Sequence, residues 1–199
     1  MKKIMLNATI FAAALFMATS CSDRKAQNED SKEVAEDQND AKFDDTDMED
    51  DTEFAVKAAD GSMLEVQLGE LAQKNGVSQE VKDLGKTLVK DHKKANEELK
   101  ALAQTKNISL PTSLSDDCQK TYNDLASKTG EDFDEAFTKH IVKDHKKDLD
   151  AFKKEADKGE DPDIKSWAAG KIPTLEHHLD MAQNAKKAAD AEASSTGKL

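Results

Sequence analysis

Glu65, His92, His145 and His178 are the residues of this sequence whose types and spacing could do chemistry, because each falls on a helical stripe that is otherwise apolar. At about 100° per residue, Glu65 lies within the stripe Phe54, Ala58, Leu68, Gly69 and Ala72. His92 lies between Leu88 and Leu99, His145 between Ile141 and Leu149, and His178 at the border of Ala168, Ile172, Leu175, Leu179 and Ala182. A buried charge is costly unless paired, so four such groups in one small core must meet or reach water. One carboxylate with three imidazoles suits one divalent transition metal, since imidazole is a ligand of Zn, Cu, Fe and Ni. Asp91 and Asp144 precede two of the histidines and are candidates to orient the imidazoles from outside the ligand set. The same residues also suit a hydrogen-bonded network that sets helix register, and both readings stand at this level. A di-iron carboxylate site needs two Glu-x-x-His motifs; the chain has none, which argues against ferroxidase chemistry. His140 reads as a solvated edge residue and Trp167, with Ile164, as packing. No Gly-rich phosphate loop, activated nucleophile or Cys pair for zinc is present, so no catalytic residue is assigned.

Presenting four groups at one depth calls for four long helices. The first spans about 51–75 and stops at Asn75-Gly76, after which Ser78 caps a second that turns Val81, Leu84, Leu88, Ala95, Leu99 and Leu102 to one side. Pro111 breaks the pattern, a short helix covers about 114–127, and Gly130 resets the chain for a third long helix over about 131–158. That helix turns Phe133, Phe137, Ile141, Leu149 and Phe152 inward. Asp161 caps a fourth, with Pro162 in its first turn and Pro173 as an expected kink. Val89-Lys90-Asp91-His92-Lys93-Lys94 recurs as Val142-Lys143-Asp144-His145-Lys146-Lys147, so the second and third long helices present the same Asp-His pair. Two helix pairs joined by a long connection is the layout of a ferritin-like bundle. The expected fold is therefore all-α: a ferritin-like up-down four-helix bundle over 53–193, with a short extra helix in the long connection and a disordered tail at 194–199.

The N-terminal end reads as an address. Lys2 and Lys3 precede an apolar run from Ile4 to Met17, too short at about 14 residues to cross a bilayer and suited to the core of a secretory signal. Ala18-Thr19-Ser20-Cys21 resembles the bacterial lipobox, which makes Cys21 the expected lipidation site after removal of residues 1–20. Several acyl chains there would anchor the protein stably, where one gives only marginal binding. Ser22 after the Cys resembles lipoproteins sent to the outer membrane. From Ser22 to Glu53 the chain carries 14 Asp or Glu against four Lys or Arg, a composition expected to stay unfolded as an acidic tether over about 21–52. The net charge of −12 excludes a phosphate backbone as partner. Cys118 is left without a partner Cys and reads as a buried apolar residue, the alternative being a free thiol exposed to an oxidising compartment.

Leu64-Glu65-Val66-Gln67-Leu68-Gly69, Val89-Lys90-Asp91-His92, Leu110-Pro111, Phe133-Asp134, Ile141-Val142-Lys143-Asp144-His145 and Leu175-Glu176-His177-His178-Leu179 together resemble the domain-of-unknown-function 4142 family over about 54–183. The resemblance implies export and a ferritin-like fold, and brings no established activity. The expectation is an exported, membrane-anchored envelope lipoprotein whose helical domain binds one divalent transition metal or a protein partner, including a second copy. The alternative is a ferritin-like metal-dependent redox enzyme.

Overall fold

The computed structural model describes residues 30–195, the side chains as far as 191; the signal segment, Cys21 and the final four residues lie outside that range. Six helices account for it: α1 Ser31–Phe43, α2 Glu49–Asn75, α3 Gln79–Lys106, α4 Asp116–Ala126, α5 Gly130–Lys158 and α6 Pro162–Ser195. No strand occurs among the described residues, and no helix there is long and apolar enough to cross a membrane. The expected punctuation is in place. Ser78 Oγ accepts from Val81 N, Asp161 Oδ1 accepts from the backbone N–H of Asp163 and Ile164, and Gly130, at φ +66°, opens α5. Pro173 is accommodated inside α6.

The four long helices form a closed circuit in which α2 packs on α3, α3 on α6, α6 on α5 and α5 on α2. Each neighbouring pair is antiparallel. Along α3 and α6, Asp91 meets His178 and Glu98 meets Lys171; along α5 and α6, His145 meets His178 and Lys153 meets Glu176. The start of α2 touches the end of α5, where Asp51 accepts from Glu160 N and Asp161 N, and its end touches the start of α5, where Asp134 accepts from Val77 N and Ser78 N. These buried aspartates give the turn N–H groups the acceptors that helix ends lack. The pair α2–α3 is drawn tight because Gly69 faces Gly85: a Cβ on Gly69 would stand 2.6 Å from Gly85 O. Phe133, Phe137, Leu68, Leu84, Leu88 and Ile141 fill one core above the polar layer; Leu99, Ile164, Leu149 and Phe152 lie beyond it.

The acidic stretch corrects the sequence reading. The segment 31–43, expected to be part of a disordered tether, is helical and lies against α2. Polar clasps hold it where apolar content is scarce. Asp30 caps it through Lys32 N at 2.8 Å and also accepts from Asp116 N. Asn39, 2 % exposed, donates to Ser109 O and accepts from Ser109 N, and Lys42 reaches Asn107 O. Composition rules weigh buried apolar area and cannot register such side-chain to backbone bonds.

Candidate metal centre

Each long helix delivers one of the four expected groups: Glu65 from α2, His92 from α3, His145 from α5 and His178 from α6. All are buried, with His145 at 0 % and Glu65 and His178 at 1 % exposure. His145 Nε2 and His178 Nδ1 are 3.2 Å apart, and one nitrogen from each of His92, His145 and His178 falls within 4.8 Å of the others. The other nitrogen of each ring faces a polar side chain. His92 Nδ1 meets Ser62 Oγ at 3.0 Å, His178 Nε2 meets Asp91 Oδ2 at 3.1 Å, and His145 Nδ1 meets Glu65 Oε1 at 3.2 Å. Glu65 Oε2 also stands 2.6 Å from His92 Nε2. Neither contact of Glu65 lies along a ring N–H bond, so both of its oxygens, His92 Nε2 and His145 Nδ1 are buried without a directed hydrogen bond.

The charges follow from this packing. Burial pushes the Glu65 carboxyl up, but the adjacent His145 and His92 outweigh it and hold the group well below the usual carboxylate range. Burial pulls His145 down, yet the Glu65 carboxylate overrides it and raises the imidazole to about 9. His178 goes the other way, to about 4, because burial and the neighbouring His92 and His145 exceed the help from Asp91. At neutral pH the layer thus contains a Glu65–His145 ion pair beside a neutral His178.

Glu65 does not join the three histidines in one group of potential ligand atoms within 4.8 Å: its Oε1 faces His145 Nδ1 and its Oε2 faces His92 Nε2. Asp144, expected to orient His145, makes no hydrogen bond or ion pair; its carboxyl is raised by burial and by Glu65. Asp148, one helical turn past His145, is the residue the sequence reading missed: with Glu65 and His145 it forms a second group of potential ligand atoms within 4.8 Å. Its carboxyl is pushed well above the usual range by burial, Glu65 and Asp144. The i, i+3 spacing from His145 was the available signal. His140, read as solvated, is half-buried, with Nε2 shielded and unbonded. Trp167 packs as expected, edge-on to Phe54 with ring centroids 6.2 Å apart and 5.5 Å from Phe152. Burial of Cys118, with the nearby Asp60, pushes its thiol up to about 12.

A family model described as a domain of unknown function, DUF4142, matches residues 32–185. The chain belongs to that family. The DUF4142 match takes in α1 from its second residue, together with the complete polar layer of Glu65, Asp91, His92, His145, Asp148 and His178. It begins earlier than the resemblance read from motifs, in keeping with α1 being part of the folded unit. No curated protein and no solved structure matches this DUF4142 chain.

Proposed function

We propose that this DUF4142 domain is a metal-binding module that holds one divalent transition ion between His92, His145 and His178. The observation that carries the reading is the disposition of the rings: three buried imidazoles place one nitrogen each within 4.8 Å of the others, while Ser62 and Asp91 hydrogen-bond a nitrogen of His92 and of His178 and the Glu65 carboxylate lies 3.2 Å from His145 Nδ1. Ligating histidines need a partner of this kind to fix ring orientation and raise basicity. The 3.2 Å between His145 Nε2 and His178 Nδ1 fits two donors each about 2.0–2.1 Å from a common ion. An imidazole set suits Zn, Cu, Ni or Fe, and Glu65 with Asp91 supplies negative charge to balance the cation. An ion bound there would link α3, α5 and α6. This reading takes the four long helices as a ferritin-like four-helix bundle, and the mature protein as an envelope lipoprotein held to the outer membrane through Cys21. The motifs around the lipobox and the short apolar run support that address.

The test is calorimetric titration of tag-free protein with Zn²⁺ and Co²⁺ after chelator treatment. One ion per chain is expected, with binding lost in His178→Ala. Absence of heat with either ion, in protein whose circular dichroism is intact, would favour the polar network instead.

A further inference from the structure

Beside the histidine layer lies a cavity of about 130 Å³ that neither packing nor the metal-binding reading uses. His92, His178 and Asp148 contribute to its wall, and Leu99, Phe152 and Trp167 give the remainder an apolar, aromatic lining. From His92 to Leu99 along α3 is seven residues, about 10 Å at 1.5 Å each, so the space runs lengthwise from the polar layer towards the rings. Its volume is close to the roughly 150 Å³ of a cavity known to accept one benzene ring. Three lysines line it, Lys57, Lys94 and Lys171, against two acids, Asp91 and Asp148, and Asp91 is engaged by His178. Lys57 is tied to Glu53, and Lys171 and Lys94 both face Glu98; neither glutamate lines the cavity. Asp148 makes no hydrogen bond. A half-buried carboxyl without a hydrogen bond, two histidines and an aromatic wall therefore face one partly open space.

We propose that this cavity is a binding site for a small organic anion with a single aromatic or similarly compact apolar body. The body lies against Phe152 and Trp167, and the anionic group faces the His92–His178 end, next to the ion. The inference rests on the metal-binding reading for the position of the anionic group, while the cavity supplies the selection for a ring-sized body. Anionic character follows from the cation the space adjoins, with the paired Lys57, Lys94 and Lys171 on the lining as further donors. Pockets that combine an apolar lining with a few convergent polar groups are the usual form of small-molecule sites.

The experiment uses benzoate as probe and the full chain loaded with Co²⁺. Trp167 is the chain's single tryptophan, so its fluorescence reports on the cavity directly. Benzoate at millimolar concentrations should change Trp167 emission and alter the visible absorption of Co²⁺, and benzamide should bind more weakly. Gly61 lines the cavity, and a Cβ there would meet nothing within 4 Å. Gly61→Leu should therefore fold, retain Co²⁺ and lower benzoate affinity by roughly tenfold or more, as overfilling a packed site does. If Co²⁺ binds but benzoate changes neither signal, or Gly61→Leu binds benzoate as the parent does, the inference is overturned and the metal site stands. Equal affinity for benzamide rejects the anion. Failure of Co²⁺ to bind overturns the metal reading, and the placement of the anionic group with it.

Discussion

His145 carries the argument at the residue scale, because it is pulled in two directions. Its Nδ1 faces Glu65 and its Nε2 faces His178, and the Glu65 carboxylate raises it to about 9, so at pH 7 it is an imidazolium. A metal ion must displace the Nε2 proton while Nδ1 stays against Glu65. Binding at pH 7 should thus release about one proton, and affinity should climb with pH until about 9 and level off above it. Calorimetry in buffers of differing ionisation enthalpy measures the proton directly; a pH-independent affinity between 6 and 9 would contradict the assignment. Glu65→Gln should weaken metal binding by about 10–100-fold, the usual cost of losing an outer carboxylate. His178→Ala should weaken it further, because it removes a donor whose neutral state, with a value near 4, is ready for an ion. The type and burial of all four residues were legible in the sequence, since each interrupts an apolar stripe. Which nitrogen of which ring faces inward was not legible, because ring orientation depends on Ser62 and Asp91 from neighbouring helices. Asp148 escaped notice because it borders the stripe of α5, three residues past His145, and is half-buried.

At the scale of elements, the long helices were readable to within a few residues because caps and stops are local: Ser78, Gly130 and Asp161 act on backbone within their own turn. Helix α1 was unreadable because its supports are distant, at Ser109 and Asp116. Asn39 is its anchor. Asn39→Ala leaves the Ser109 N–H and C=O without their partner, and should cost about 1–3 kcal/mol and raise hydrogen exchange in 31–43 selectively. Unchanged protection there would show that α1 is held by something else. The junction of α2, α5 and α6 makes a second prediction. Burial, with Asp51 beside it, raises Glu155 to about 7, so the folded state holds its proton more tightly than the unfolded chain does at about 4.5. The stabilisation is fully present below pH 4.5 and is lost as pH rises through 7. Glu155→Gln should remove that loss, leaving the variant more stable than the parent at pH 8 in urea unfolding and no more stable at pH 4. A parallel pH profile for the two proteins would refute the assignment.

At the scale of the whole molecule, charge divides between an acidic N-terminal region and a domain in which acids and bases interleave. The family match and α1 begin at residues 32 and 31, within the stretch that composition alone assigned to the tether. Cys21→Ser should release the protein from the membrane fraction in detergent phase separation, and persistence there would count against the lipid anchor. The central claim is the three-histidine ion, and anomalous X-ray diffraction from crystals of the protein soaked with Zn²⁺ tests it most directly. The account predicts one strong peak per chain, about 2.0–2.1 Å from a nitrogen of His92, His145 and His178, with Glu65 against the far side of His145. A peak bound by Glu65, His145 Nδ1 and Asp148, or no peak in this layer, would contradict it.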